Sequence, residues 1–259
     1  MSEHVRVERE NGVLAIMLAR PDRRNAITIA MYGALADAIA GAGDDTRLIT
    51  IRSEGQDFAA GNDLADFLEV RPGGDDEIAV WRFLGALAGC EVPIVAAVHG
   101  NCVGIGTTML LHCDLVVADE TARFSMPFVD LALVPEAASS LLLPRLAGRR
   151  RAARYLLLAE PFGADEAEQI GLVSHRVPQG QLDSKLNQIV EALLAKPAEA
   201  LRQTQRLLRH GAREELLDRM KLESAAFAKR LASPEVKEAI ASFFAARAKD
   251  RQPGSPIRW

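Results

Sequence analysis

Pro93-Ile94-Val95-Ala96-Ala97-Val98-His99-Gly100-Asn101-Cys102-Val103-Gly104-Ile105-Gly106-Thr107-Thr108 is the stretch on which the fold turns. Pro93–Val98 is apolar throughout, the pattern of a strand buried on both faces. Gly100–Gly106 then reads as a glycine-containing loop, followed by a short helix over Thr107–Cys113 and another strand over Leu115–Ala118. A buried strand, a glycine turn and a helix start in sequence place unpaired N–H groups at one point, because the first N–H groups of a helix have no partner inside it. Phe58-Ala59-Ala60-Gly61-Asn62-Asp63-Leu64 repeats that logic upstream, where a strand ends and a short helix, Asn62–Leu68, begins. Two such helix starts aimed at one place would give two backbone donors to a developing oxyanion. Neither segment is a nucleotide signature. Gly104-Ile105-Gly106-Thr107-Thr108-Met109 lacks the last glycine of G-x-G-x-x-G, and no G-K-[ST] is present.

Outward from there the pattern alternates. Val5–Arg9 and Val13–Ala19 are strand-like, and Asn11-Gly12 between them is a hairpin signal. Thr28 suits the cap of a helix reaching Ala40, with Tyr32, Leu35, Ala36 and Ile39 at helical spacing. Leu48–Arg52 is the next strand. Asp75-Asp76-Glu77 suits the positive end of a helix over Ile78–Ala88. The order implies α/β layering or a spiral of β-β-α units. From Gln181 to Ala248 only helical patterns occur, broken at Pro197 and Pro234. Such helices either cover the core of their own chain or bury their apolar faces between subunits.

Composition narrows the function. Of 259 residues, 49% are hydrophobic and 25% charged, which is globular composition, and the net charge of -4 does not suit a phosphate-neutralising surface. Three cysteines without C-x-x-C spacing suggest neither a disulfide framework nor a thiolate metal site. The five histidines show no H-E-x-x-H or H-x-H spacing, and no apolar run approaches a membrane span. The expected setting is cytoplasmic, without nucleic acid or membrane as partner.

Several ordered segments together resemble the crotonase (enoyl-CoA hydratase/isomerase) superfamily. Phe58–Leu64 is similar to its first oxyanion-hole loop. Ala97-Val98-His99-Gly100, the Gly104-to-Gly106 turn and Cys113-Asp114-Leu115 are similar to its second. Ala19-Arg20-Pro21 with Asn25-Ala26 resembles its coenzyme-A-contacting turn. Ala122-Arg123-Phe124, Pro127 and Leu133-Val134-Pro135 resemble its active-site segment, and Glu160-Pro161-Phe162 with Gly171-Leu172-Val173 the one after it. The matches run from about residue 13 to 177. The resemblance implies a spiral of β-β-α units over residues 1–195 and a C-terminal helical trimerisation region over 196–259. It implies an acyl-CoA substrate, a homotrimer or hexamer, and no metal or redox cofactor. It makes the backbone N–H groups of Asn62 and Ile105 the oxyanion donors.

The hydratases of the superfamily carry two glutamates, and the matching positions here are Thr108 and Phe128. Neither is a carboxylate base. Glu136, in Leu133-Val134-Pro135-Glu136-Ala137-Ala138-Ser139-Ser140, resembles instead the single proton-carrying glutamate of the peroxisomal-type Δ3,Δ2-enoyl-CoA isomerases. Glu136 equally suits the first turn of a helix over Ala137–Leu143. Asp130 is a second nearby carboxylate, ranked below it, and His99 reads as a structural histidine. For coenzyme A the candidates are Arg23, Arg24, Ala26, Ala60, Gly61, Asp63 and Leu64, with Phe243 and Arg247 in the tail. Each arginine also reads as a solvated side chain in a polar turn. A hydratase, another crotonase-type acyl-CoA reaction, and a non-catalytic binding protein on the same fold stay open as alternatives.

Overall fold

The computed structural model describes residues 2–67 and 75–250. Strands β1 (Val5–Glu10) and β2 (Val13–Leu18) pair antiparallel, Val5 opposite Leu18 and Glu10 opposite Val13. Asn11 and Gly12 close the hairpin with φ of 50° and 80°, the positive values that select Asn-Gly in two-residue turns. Helix α1 (Ile29–Ala40) starts where the Thr28 hydroxyl accepts the Met31 N–H. It carries the chain across to β3 (Leu48–Ser53), which lies parallel to β2 as a crossover helix permits. Helices α2 (Leu64–Phe67) and α3 (Asp75–Gly89) follow, α3 packing along α1. Strand β4 (Ile94–Val98) is buried at every position and pairs parallel with β3.

What the sequence presents as one glycine loop then holds a strand, β5 (Asn101–Val103). Three residues are too few for an alternation to be visible. Helix α4 (Ile105–Thr108) begins two residues earlier than the sequence suggests and passes into a 3-10 turn, Met109–His112. Next come β6 (Leu115–Asp119), β7 (Arg123–Ser125), α5 (Ser139–Ala147), α6 (Arg149–Leu157), β8 (Phe162–Gly163), α7 (Ala164–Gln169) and β9 (His175–Val177). The chain closes on α8 (Leu182–Leu194), α9 (Ala198–Arg209), α10 (Ala212–Leu231) and α11 (Pro234–Asp250).

Six strands form one sheet in the order β1-β2-β3-β4-β6-β9, and β5-β7-β8 form a second. Each pass of the chain contributes first to the large sheet and then to the small one: β4 then β5, β6 then β7. Ala59, just after β3, bridges Cys102 and extends the small sheet by the same rule. This alternation is the spiral of β-β-α units that the resemblance implies. One face of the large sheet holds the main core, with Leu14, Ile16, Leu35, Phe83 and Phe124 buried. On the other face α8 seals Val95, Ala97 and Val117 with Leu186 and Ile189. Helix α10 folds back against α3 and α5, and α11 against the 3-10 turn Val129–Leu131. The last helices therefore cover their own chain's core over much of their length. Among the described residues no helix is long and apolar enough to cross a membrane.

Candidate active site

The two glycine-bearing loops meet. Val103 N–H donates to Ala59 O at 2.9 Å, and Ala59 N–H donates to Asn101 O at 3.1 Å. Gly61 lies so close to the second loop that a Cβ on it would stand 3.2 Å from Val103 O, and its φ of +87° is one that L side chains rarely adopt. Gly104, with φ +55°, faces the Gly61 Cα. Around the junction Ala60 N–H donates to Arg24 O, Asp63 N–H to Ile27 O and Gly104 N–H to Ser125 O, each at 2.9 Å. The N–H groups of Asn62 and Ile105 donate to no backbone carbonyl among the described residues. Ile105 opens α4, where an N–H has no intrahelical partner. An anion lodged at this junction would meet preformed donors.

Tyr32 joins the first loop to Glu136. Its hydroxyl donates to Asn62 Oδ1 at 2.5 Å, fixing that side chain. Burial, and next the Glu136 carboxylate, push the Tyr32 phenol well above its ordinary pKa. Tyr32 appears in the sequence as one apolar position of α1, and only its polar tip hints at more.

Glu136 is 7% exposed, and its Oε1 has no hydrogen-bond partner among the described residues. Burial, and next the negative charge of Glu223, raise its pKa from 4.5 to about 8. The sequence offered a competing place for Glu136 in a helix first turn, and the structure corrects the boundary that reading used. Helix α5 starts at Ser139, after Ala137 and Ala138 in left-handed backbone with φ of 58° and 56°. The carboxylate at that helix start comes from α10. Glu223 accepts the Ala138 N–H at 2.6 Å, the Ser140 N–H at 2.9 Å and the Ser140 hydroxyl at 2.5 Å. Its signal in the sequence was faint: an acid at helical spacing between buried Met220 and Phe227.

The remaining candidates separate. Phe128 is buried, and Thr108 is buried with its hydroxyl lacking a partner among the described residues. Asp130 is exposed on its 3-10 turn. His99 is held by Gly55 O at 3.1 Å. Arg23 is exposed beside Asp22 at 3.9 Å, and Arg24 stands 3.8 Å from the Asp57 carboxylate. Both flank a turn pinned by buried Asn25, which donates to Glu54 O and Asp57 O, each at 2.8 Å. The Asp63 carboxylate is engaged by Arg20 at 2.8 Å, and Arg20 also donates to Ala26 O. Leu64 begins α2 and is half-buried. The side chains of Phe243 and Arg247 lie outside the described residues.

Two layers of strands wound in one spiral, with two loops meeting at unpaired N–H groups, define a crotonase-type chain. The sequence model of the enoyl-CoA hydratase/isomerase family matches residues 8–251, and the chain belongs to that family. It is 30% identical over 250 residues to human "Enoyl-CoA delta isomerase 2", covering 94% of this chain and 64% of that protein. The chain thus spans just under two thirds of that relative's length. It is also 30% identical over 252 residues to "Probable enoyl-CoA hydratase" of Rhodobacter capsulatus, covering 95% of this chain and 97% of that one. The crystal structure of an enoyl-CoA hydratase/isomerase from Pseudoalteromonas atlantica T6c has a TM-score of 0.89 at 38% identity, covering 99% of this chain and 100% of that one. Relatives named for isomerisation and for hydration stand at equal identity.

Proposed function

We propose that the chain is an enoyl-CoA isomerase that moves a C=C bond from the 3 to the 2 position of an acyl-CoA. The observation that carries this reading is a buried glutamate, Glu136, with a free oxygen, at a site whose other two candidate acid positions hold Thr108 and Phe128. In the reaction the Glu136 carboxylate takes a proton from C2 of the 3-enoyl thioester. The electron pair of that C–H bond moves onto the thioester oxygen, where the Asn62 and Ile105 N–H groups receive the charge. The dienolate then collapses, the double bond forms between C2 and C3, and Glu136 returns the proton at C4. One carboxyl suffices because it is regenerated each turnover. Coenzyme A enters as part of the substrate, and no step calls for a metal or a redox cofactor.

On this reading Arg23 and Arg24 meet the phosphates of coenzyme A. On the same reading the backbone of Ala26, Ala60, Gly61, Asp63 and Leu64 receives its pantetheine and adenine. We assign the working form to a homotrimer or hexamer in the cytoplasm. The deciding experiment offers 3-enoyl-CoA and 2-enoyl-CoA of several chain lengths to the wild type and to Glu136→Gln. Conversion of the 3-enoyl substrates by the wild type alone supports the assignment; efficient hydration of 2-enoyl-CoA with no 3-enoyl turnover overturns it.

A further inference from the structure

Glu136 is aimed by a backbone that resists its own conformation. Ala137 and Ala138, both non-glycine, stand in the left-handed region at φ 58° and 56°, which costs of order 1 kcal/mol or more for each. Contacts from outside the loop hold them there. The His112 Nε2–H donates to Ala137 O at 2.7 Å, and burial keeps that imidazole neutral by lowering its pKa to about 4. The Ser139 hydroxyl and N–H fold back on Glu136 O at 2.6 and 3.0 Å. On the far side Glu223 receives the Ala138 N–H and both donors of Ser140. Arg219, one turn earlier on α10, also reaches the Ser140 hydroxyl at 3.3 Å.

Glu223 sits in the middle of α10, 7% exposed, on a face otherwise made by Met220 and Phe227. Burying a carboxylate is expensive, and a neutral oxygen acceptor is enough to cap a helix start. What the glutamate adds is a charge beside the proton carrier. Glu136 feels the charge of Glu223 on α10, and the Tyr32 phenol on α1 feels that of Glu136. Burial raises the Glu223 pKa, while its hydrogen bonds from Ser140 and Ala138 and the charge of Arg219 favour its ionised form.

Resting on the isomerase reading above, we propose that Glu223 is a positioning residue for the reaction: its carboxylate clamps the Ala137–Ala138 turn that aims Glu136 and acts on that carboxyl through its charge. Because this acts through helix α10, packing of α10 on α5 becomes part of the proton chemistry.

The test compares Glu223→Gln, Glu223→Asp and Ser140→Ala in the full-length protein. The ionisation of Glu136 is followed without substrate by its carboxyl infrared band, assigned by its loss in Glu136→Gln. Glu223→Gln removes the charge, so the Glu136 midpoint moves toward acid, and the acid limb of kcat/KM moves with it. Its kcat on the alkaline plateau falls roughly tenfold or more, with KM little changed, because the turn loosens. Ser140→Ala removes a hydrogen bond and keeps the charge, so its midpoint stays with the wild type. If Glu223→Gln does not fold, Glu223→Asp decides. It keeps the charge on a shorter arm, and the midpoint stays alkaline while kcat drops. A Glu136 midpoint unmoved in Glu223→Gln, or lost in Glu223→Asp, reduces Glu223 to a structural cap and overturns the proposal. The titration uses no substrate, so its result is independent of whether the reaction assignment stands.

Discussion

On the proposed reading, the Glu136 carboxyl carries opposite demands of folding and chemistry. A carboxyl with a pKa of about 8 is mostly protonated at neutral pH, and only the ionised fraction can take the C2 proton. The expected kcat/KM for 3-enoyl-CoA therefore rises about tenfold per pH unit below that value and levels above it. A pH–rate profile measures this, and a flat profile between pH 6 and 9 would contradict Glu136 as the base. The same shift fixes a stability trend. The folded pKa lies above the unfolded value of 4.5, so the favourable contribution is complete below that value and is withdrawn as the pH rises through about 8. Glu136→Gln has no charge to bury. Its stability advantage over the wild type should be small near pH 4.5 and grow to as much as about 5 kcal/mol above pH 8, read as the difference in Tm across that range. Activity in the same variant should vanish. Glu136 could be named from the sequence because its Pro135-Glu136-Ala137 setting resembles that of the isomerases and because Thr108 and Phe128 stand at the two hydratase positions. Tyr32 and Glu223 could not, since each occupies a heptad-like apolar position whose neighbours can be known only once helices from distant parts of the chain are packed together.

Among the elements, α4 and the segment before α2 serve the site through the backbone on the proposed reading. Each presents an N–H group that no backbone carbonyl among the described residues claims. If Asn62 and Ile105 donate through the backbone, side chain and donor are separable. Ile105→Pro puts proline at the first position of α4, where the ring fits a helix, and deletes the N–H. Ile105→Ala keeps the N–H and loses more volume from a fully buried position. Activity should fall about 10²-fold further in Ile105→Pro than in Ile105→Ala, and equal losses would contradict the backbone donor. Asn62→Ala should keep most turnover yet cost about 1–3 kcal/mol of stability, because the buried Tyr32 hydroxyl loses its acceptor. Thermal melts should show part of that loss regained when Tyr32→Phe is added. The strands legible in advance were β1 to β4 and β6, whose five or six residues carry alternation or an unbroken apolar run. Strands β5, β7 and β8, of two or three residues, exist through pairing with one another and with Ala59, which no local pattern encodes.

For the whole molecule, the question is what the helices after β9 leave uncovered. Helix α8 closes the second face of the large sheet, and Glu223 of α10 accepts the Ala138 N–H beside Glu136. The outer surfaces of these helices nevertheless keep large apolar side chains in water: Leu207 and Leu208 on α9 are 75% and 74% exposed, and Leu222 on α10 is 68% exposed. Scattered single exposures need no explanation, but two adjacent leucines at one helix end are apolar area that a copy of the same chain would cover. Burying one leucine side chain is worth about 1.5–3 kcal/mol, and a closed trimer would repeat the gain at each of its interfaces. Wild type should therefore run as a trimer or a dimer of trimers by light scattering at micromolar concentration. Paired substitution Leu207→Glu with Leu208→Glu should shift it toward monomer while far-ultraviolet circular dichroism stays unchanged, since neither side chain contributes to the core. A wild type that remains monomeric, or a double variant that assembles undiminished, would mean that these leucines are surface residues only and that the helices serve their own chain.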